Sequence, residues 1–268
     1  MPTNDAAFTG SVPLIYETYL VPLIFEEYAT DIVKRLAPRK PKRILEIAAG
    51  TGVVTRAMSA ALPGVAIVAT DLNPAMIDQA KAAGTKGKVE WQPADAQQLP
   101  FPDASFDAVV CQFGVMFLPD KAKGYAEARR VLKPGGVYLF NVWDRIEANE
   151  FPDVITQALA QHFPKDPPRF LPRTPYGYND RAAIAREVEA AGFRKPEIAT
   201  VAVRSYASSP SQPAIAFCQG SPLRGEIEAR APGGLKAATD AATAAIAKRF
   251  GSGAIDGKIQ AHVVTATA

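Results

Sequence analysis

The sequence is poor in cysteine and in histidine. Its 268 residues include two cysteines, Cys111 and Cys218, and two histidines, His162 and His262. Two cysteines without a CxxC pair cannot form a disulfide framework or a cysteine-based zinc site, and two histidines cannot supply a histidine-rich metal centre. We therefore expect no metal site.

Long apolar runs and a large net charge are also missing. No apolar stretch reaches the ~20 residues that span a bilayer, and residues 1–10 lack the basic and apolar regions of a signal peptide. Thirty basic and 27 acidic side chains leave a charge of +3, too small an excess for a protein that coats nucleic acid. We expect a cytoplasmic protein that acts on a small molecule, without a nucleic-acid partner or stable membrane insertion. Its oligomeric state is not readable from the sequence.

Short apolar segments alternate with helical ones over most of the chain, which favours a parallel sheet covered on both faces. The predicted strands are 43–47, 65–70, 88–92, 106–112, 137–143, 198–206 and 259–266. The helix after the second strand has a clear start, because Asn73 can cap it and Pro74 suits its first position.

One domain is predicted over residues 1–268, with residues 1–36 as an N-terminal helical cap. The cap consists of two amphipathic helices that begin near Pro13 and Pro22. Tyr16 and Tyr19 in this cap either close over a ligand or pack against the sheet.

Two insertions, 144–179 and 207–257, are predicted to form a lid over the substrate. Five prolines between Phe163 and Tyr178 exclude a regular element there, and the stretch 208–230 is expected to be an irregular insertion that is partly helical. Six aromatic side chains favour a small, partly hydrophobic substrate, although they can equally seal a core: Phe151, Phe163, Phe170, Tyr176, Tyr178 and Phe217.

A glycine turn joins the first strand to the following helix. Gly50 and Gly52 let the backbone approach a ligand closely, and the start of the helix offers free N–H groups to an anion. Asp71 follows 21 residues after Gly50, at the end of the second strand, where a carboxylate can accept both hydrogens of a ribose diol. Asp95 and Ala96, after the third strand, can read an adenine edge, although an Asp in a loop is often only a loop residue.

This combination resembles the class I S-adenosylmethionine-dependent methyltransferases, in the branch that includes the ubiquinone/menaquinone C-methyltransferases. The matching pieces occur in order: Glu46-x-Ala48-x-Gly50-x-Gly52, Asp71, Asp95-Ala96, Leu99-Pro100-Phe101-Pro102-Asp103-Ala104-Ser105-Phe106-Asp107 and Leu132-Lys133-Pro134-Gly135-Gly136. The resemblance covers about residues 40–145 well. It implies a Rossmann-like, mostly parallel seven-stranded α/β sheet of order 3-2-1-4-5-7-6, with an antiparallel last strand, helices on both faces and helical lid insertions.

The resemblance also implies S-adenosylmethionine as the cofactor and a role for each matching position. Glu46 is expected to orient the methionine ammonium, and Ala48, Gly50 and Gly52 to line the methionine end. Asp71 would hold the ribose diol, Leu72 would pack against adenine, Asp95 and Ala96 would read its edge, and Gln112 would lie near the sulfonium. Ala48 departs from the family pattern, which usually has glycine there.

Two further residues are open to two interpretations each. His162 is a candidate general base, or it caps a helix C-terminus at the surface. Cys111 is a reactive thiol at the site, or a small buried residue at the end of a strand.

The expected chemistry is in-line displacement at a sulfonium methyl, for which the protein mainly positions two partners and excludes water. One alternative is a cofactor-binding subunit without catalysis. A second, less favoured one is an NAD(P)-dependent oxidoreductase, because no third glycine follows three residues after Gly52.

Overall fold

A seven-stranded sheet organises the chain. The computed structural model describes Asp5 and residues 10–268, except the side chain of Lys195. The strands are β1 (Arg43–Glu46), β2 (Ala66–Asp71), β3 (Val89–Pro93), β4 (Phe106–Gln112), β5 (Leu132–Trp143), β6 (Arg194–Ala207) and β7 (Ile255–Thr267). Their spatial order is β3-β2-β1-β4-β5-β7-β6, so the predicted order is confirmed.

The first five strands run parallel to one another, and the last pair runs antiparallel. β1 pairs in parallel with β2 and β4, β2 with β3, and β4 with β5. Near the start of β6, Arg194 donates to the carbonyl of Ala268, whereas Thr200, later in β6, meets the ring of His262, which precedes Ala268. Residue numbers rise along β6 while those of the paired residues in β7 fall, so the two strands are antiparallel, as predicted.

The described residues contain eleven α-helices, two before β1 and nine between later strands. They are α1 (Val12–Ile15), α2 (Glu26–Leu36), α3 (Val53–Ala61), α4 (Pro74–Ala83), α5 (Lys121–Val131), α6 (Glu150–His162), α7 (Phe170–Arg173), α8 (Arg181–Ala190), α9 (Ser211–Gln219), α10 (Leu223–Arg230) and α11 (Leu235–Phe250). Asn73 caps α4 by accepting from the N–H of Ala75 at 2.9 Å, and Pro74 is its first residue, as predicted. None of the described helices is long and apolar enough to cross a membrane.

The chain divides into two compact units. The sheet unit comprises Glu26–Val142, Asn179–Val201 and Ala261–Ala268. The helical unit comprises Trp143–Tyr178, Ala202–Gln260 and the described part of Met1–Phe25. The single domain predicted over residues 1–268 stays a prediction.

The core of the sheet unit has two layers, because alternate residues of each strand point to opposite faces. On one face, α2 and α3 bury side chains such as Ile32 and Met58 against Val137 and Leu139 of β5. On the other face, the intervening β5 residues Tyr138 and Phe140 contact the Tyr125 ring of α5, at ring-centroid distances of 6.2 and 5.6 Å. Burial on both faces explains why these strands are continuous apolar runs.

The helical unit is built around α6, α9 and α11. One side of α11 is buried through Ala238, Ala242 and Ile246, which recur every four residues and leave room for close helix packing. In α6, the Phe151 ring contacts Phe250 at a centroid distance of 5.1 Å. The helical part that was predicted within the stretch 208–230 is confirmed, but the stretch is more regular than expected, because α9 and α10 fill most of it.

Three further expectations about local structure are corrected. Pro22 does not begin a helix; it lies inside the π-helical segment Tyr16–Phe25. A proline ring clashes with the preceding turn of an α-helix, and a widened turn relieves that clash. The proline-rich segment contains the single helical turn α7, whose first N–H groups are capped by the Glu226 carboxylate. The strand predicted at 137–143 begins earlier, because β5 starts at Leu132 and includes the Lys133–Gly136 part of the last motif.

Candidate functional site

The candidate site lies where the strand order reverses in the sheet unit. From β1 the chain moves to β2 and β3 on one side, then crosses to β4 on the other side of β1. In open α/β sheets, ligands bind in the crevice at the carboxyl ends of the strands at such a point. A ligand site is therefore expected at the turns that follow β1 and β4.

The turn after β1 is wound into the left-handed region of backbone space. Ala48, Gly50 and Gly52 have φ angles of 53°, 57° and 85°. The turn is fixed by two backbone bonds: Ala49 donates to the Thr70 carbonyl at 2.9 Å, and Gly52 donates to Ala49 at 3.0 Å. α3 begins directly after it without a side-chain cap, so its first N–H groups are available to a ligand.

Gly52 serves packing as well as turn geometry. A Cβ on this residue would lie 2.8 Å from the Trp91 ring and 3.1 Å from the Ala80 methyl. Because glycine has no Cβ, α3 and α4 can pack this close to β3. The expected role of Gly52 at the methionine end stays a prediction, and the structure adds this structural one.

Glu46 is a fully buried acid beneath the turn. Its carboxylate accepts the Thr55 hydroxyl at 2.5 Å, and its backbone carbonyl accepts the Thr70 hydroxyl at 3.0 Å. Burial raises the pKa of Glu46 to about 8; the Thr55 bond opposes this rise, the Asp71 charge adds to it and the Arg56 charge opposes it. An acid held in this state favours a positively charged partner, since a cation stabilises its ionised form.

Asp71 links the end of β2 to the glycine turn. One carboxylate oxygen accepts the N–H of Gly50 at 2.8 Å, and the other accepts the N–H of Asn73 at 2.8 Å. Burial raises the pKa of Asp71, and the two N–H bonds oppose that rise. Each carboxylate oxygen can accept a second hydrogen, so a diol can still bind. Leu72, the next residue, is 65% exposed, unusual for a leucine.

Asp95 and Ala96 are held near the end of β2. The N–H of Ala94 donates to the Asp71 carbonyl at 3.1 Å, which joins the loop after β3 to the tip of β2. The Asp95 carboxylate accepts the Gln97 N–H at 2.8 Å, and Ala96 is buried. The structure therefore places these two residues beside Asp71, as an adenine-edge role requires.

The turn after β4 contacts the turn after β1. Phe113 also has a positive φ of 53°, and its N–H donates to the carbonyl and the side-chain oxygen of Asn141 at 3.1 and 3.0 Å. A Cβ on Gly114 would lie 2.5 Å from the Ala48 methyl and 2.7 Å from Cys111 Sγ. Gln112 ends β4 beside this turn. Strained backbone of this kind clusters at ligand sites.

Cys111 is a structural residue in this arrangement. Its side chain is buried, and burial raises the pKa of its thiol to about 12. The thiol is therefore uncharged and poorly nucleophilic at neutral pH. This favours the buried-residue interpretation over the reactive one.

At these turns, the side chains of Thr51 and Asn141 each have a buried polar atom with no hydrogen-bond partner among the described residues. These atoms are the Thr51 hydroxyl, in the turn after β1, and the side-chain NH₂ of Asn141, which pairs in register with Gln112. Buried polar atoms are rarely left unsatisfied, so a ligand with hydrogen-bonding groups is expected beside them. Together with the Asp71 acceptor and the free start of α3, they fit a ligand with a ribose, an amine and a carboxylate, such as S-adenosylmethionine.

His162 lies at the C-terminal end of α6 in the helical unit. It is exposed, and its ring contacts Phe163 edge to face at a centroid distance of 4.7 Å. This position agrees with the helix C-terminus interpretation. The general-base role of His162 stays a prediction.

The sequence reasoning missed two anchoring groups, Asp107 inside a quoted motif and Arg130 just before another. Asp107 accepts the N–H groups of Lys42 and Arg43 and the ammonium of Lys133 at 2.9, 2.8 and 2.7 Å. Arg130 donates to the carbonyls of Leu99 and Phe101 at 3.0 and 2.7 Å. The available signal was that two oppositely charged residues, Asp107 and Lys133, each lie in a motif of the family. These residues position the loops around β4 and do not belong to the crevice.

Asp107→Asn is expected to destabilise the protein by about 1 kcal/mol, or about 2–4 °C in Tm, at pH 7. Burial opposes ionisation of Asp107, but the bonds from Lys133, Arg43 and Lys42 outweigh it and lower its pKa. An acid with a lowered pKa stabilises the fold above its unfolded pKa, and this contribution is lost as pH falls. Thermal unfolding of both proteins from pH 7 to pH 3 should show their Tm values converging; a constant gap would contradict this role.

Comparisons with known proteins agree with this assignment. Residues 45–140 match the family model of a methyltransferase domain. The chain is 33% identical to a demethylmenaquinone methyltransferase of Deinococcus radiodurans, over 58% of this chain and 68% of that one. It is 30% identical to the ubiquinone/menaquinone biosynthesis C-methyltransferase UbiE of Caulobacter vibrioides, over 61% and 72%. Relatives with 42–43% identity match over less than half of their own length.

A solved structure shows the same fold. Phosphoethanolamine N-methyltransferase 2 of Haemonchus contortus, in complex with S-adenosyl-L-methionine, superposes with a TM-score of 0.62 at 19% identity, over 98% of this chain and 58% of that one. The oxidoreductase alternative and the cofactor-binding subunit without catalysis are both set aside by these relatives. The chain belongs to the class I S-adenosylmethionine-dependent methyltransferases, in the branch of the ubiquinone/menaquinone C-methyltransferases.

Proposed function

We propose that this protein transfers the methyl group of S-adenosylmethionine to a small, partly hydrophobic acceptor by in-line displacement. The observation that carries the proposal is the Asp71 carboxylate, bonded to Gly50 in the turn after β1 at the point where the strand order reverses. A carboxylate fixed to a glycine turn in this crevice matches the ribose end of an adenosine-based donor.

The residues of the sheet unit have distinct proposed roles toward this cofactor. Asp71 binds the ribose, Leu72 covers the adenine ring, and Asp95 with Ala96 reads the adenine edge. Glu46 faces the methionine ammonium, and Ala48, Gly50 and Gly52 line that end. Gln112 contacts the region of the sulfonium. These roles extend the family resemblance, and the placement of the side chains supports them.

The reaction needs little chemistry from the protein itself. The cofactor supplies a methyl group that is already activated by the positive sulfur. The chain must therefore hold the acceptor in line and exclude water, and such positioning can supply ~7–11 kcal/mol of the barrier. A general base is needed only where the acceptor must lose a proton, and His162 stays the candidate for that step.

Support for a hydrophobic acceptor comes from the relatives, because the names of two of them refer to menaquinone or ubiquinone synthesis. The aromatic side chains of the predicted lid give less support, because four of the six are buried in the core of the helical unit: Phe151, Phe170, Tyr176 and Phe217. A quinol ring fits the class of acceptor that these relatives imply. Acceptor recognition by the segments 144–179 and 207–257, and a cytoplasmic location, remain part of the proposal.

The proposal is tested by transfer of radiolabelled methyl from S-adenosylmethionine. The acceptors are a short-chain demethylated naphthoquinol, a simple phenol and a primary amine. We expect label in the quinol and none above background in the amine. Thermal-shift titration with S-adenosylmethionine and NAD⁺ is the companion measurement, and only the first should raise Tm. Stable cofactor binding without transfer to any acceptor would contradict the catalytic proposal.

A further inference from the structure

We propose that Glu46 holds a proton in the free protein and releases it when the positively charged cofactor binds. The inference rests on the proposed methyl-donor function and extends it. It makes Glu46 a residue that selects ligands by their charge, in addition to contacting them.

The surroundings of Glu46 disfavour its charge in the free protein. Its side chain is about 1% exposed, and the hydrogen bond that it accepts comes from a neutral hydroxyl, that of Thr55 in α3. An ionised carboxylate in a buried place needs a counter-charge or several donors, because water no longer solvates it. One hydroxyl does not supply either.

The charged and titratable groups on the neighbouring elements do not supply enough positive charge to stabilise an ionised Glu46. Asp71 on β2 is a second acid, and its charge opposes a charge on Glu46. Cys111 on β4 is buried and remains a neutral thiol. Arg56 on α3 attracts the charge, but its guanidinium donates to the Thr51 carbonyl at 2.6 Å and so is shared with the turn.

Of the two acids, Asp71 is better equipped to carry the negative charge. Its two oxygens accept backbone N–H groups from Gly50 and Asn73 at 2.8 Å each. When two like charges share a site, the one with fewer donors keeps its proton. Glu46 is therefore the acid that stays neutral until a cation arrives.

The proton balance of binding follows directly. S-adenosylmethionine carries an ammonium, a sulfonium and a carboxylate, with a net charge of +1. Neutral Glu46 and the cofactor become ionised Glu46 beside a cation, and the released proton passes to a buffer base. No covalent bond of the cofactor changes. Below the pKa of Glu46, binding becomes tighter as pH rises, and above that pKa the contribution of Glu46 to the pH dependence ends.

The test is calorimetric titration of the whole protein with S-adenosylmethionine in two buffers of different ionisation enthalpy, phosphate and imidazole. At pH 6.5 the difference in heat should correspond to release of close to one proton per cofactor bound. The affinity should rise about tenfold between pH 6 and 7 and about fivefold between pH 7 and 8, and the rise should end above. Binding without proton release in the wild-type protein would overturn the proposal.

Two variants assign the proton to its residue. Glu46→Gln keeps the shape of the neutral acid, and its binding should release no proton and vary less than twofold with pH. Glu90→Gln removes an exposed acid on β3 and should behave as the wild type does. Equal proton release by Glu46→Gln and wild type would show that another group is the source and would overturn the assignment.

A third measurement does not depend on the variants. Difference infrared spectroscopy of the wild-type protein should show loss of a protonated carboxyl band when the cofactor is added, and persistence of that band would contradict the proposal. The two levels of inference fail separately. If wild type and Glu90→Gln bind no S-adenosylmethionine at all, the proposed function fails; if they bind it without releasing a proton, only this inference fails.

Discussion

Replacing Asp71 with alanine is expected to weaken S-adenosylmethionine binding by about 2–4 kcal/mol, a factor of roughly 30 to 1000 in Kd. Two hydrogen bonds from the ribose to a charged acceptor would be lost. The structure adds a second cost, because the N–H groups of Gly50 and Asn73 also lose the carboxylate that they donate to. The turn that lines the crevice would then be less well ordered before the cofactor binds.

Isothermal calorimetry with three variants separates these two costs. Asp71→Asn keeps one oxygen for a turn N–H, so its loss of affinity should lie between wild type and Asp71→Ala. Asp78→Ala removes an exposed acid from α4, seven residues along the chain, and should bind as the wild type does. A Kd for Asp71→Ala within threefold of wild type would show that Asp71 does not hold the ribose.

The cofactor side of the molecule was largely predictable from the sequence. The strand–turn–helix at 44–55 and the capping pair Asn73-Pro74 have local physical causes, which do not depend on the rest of the chain. The position of Asp71 follows because parallel strands place their carboxyl ends at one edge of the sheet. Features with local causes of this kind can be predicted from each segment by itself. The strand order, in contrast, was implied by the family resemblance.

The features that the sequence did not reveal depend on contacts between distant segments. The π-helical turn at Pro22 and the helices α9 and α10 form in the helical unit. There, α9 packs against the π-helical segment, α6 and α11, and this burial outweighs weak local signals. The anchor at Asp107 joins residues 26 positions apart at Lys133, and 64 apart at Arg43. No periodicity or spacing rule indicates such a pairing in a single sequence.

Ala48 shows how a departure from the family pattern acquires a physical meaning. It occupies a position that usually holds glycine, and its φ of 53° is one that alanine adopts at a cost of about 1–2 kcal/mol. Its methyl group fills the space where a side chain at Gly114 would lie, 2.5 Å from a Cβ placed there. The chain therefore tolerates alanine at 48 because residue 114 is glycine, and the two positions should be energetically coupled.

A double-mutant cycle measures this coupling. Gly114→Ala alone should destabilise the protein by about 1–3 kcal/mol, because the new methyl overlaps those of Ala48 and the Cys111 sulfur. Ala48→Gly alone should change stability by less than about 1 kcal/mol, since relief of the left-handed strain offsets the greater entropy of the unfolded chain. In the double variant, denaturant unfolding should recover about half of the Gly114→Ala loss, because the contact with Cys111 remains.

The matched control for this cycle is Gly225→Ala, in α10. A Cβ at that position meets no atom within 4 Å, and the residue lies inside a helix. Because alanine favours helices over glycine, this variant should stabilise the protein by up to about 1 kcal/mol, with or without Ala48→Gly. If the changes in unfolding free energy for Ala48→Gly and Gly114→Ala simply add, the two turns relax independently. The close packing of β1 on β4 would then not define the crevice. A coupling of about 1 kcal/mol or more would show that the methionine side of the crevice is shaped by this pair of small residues.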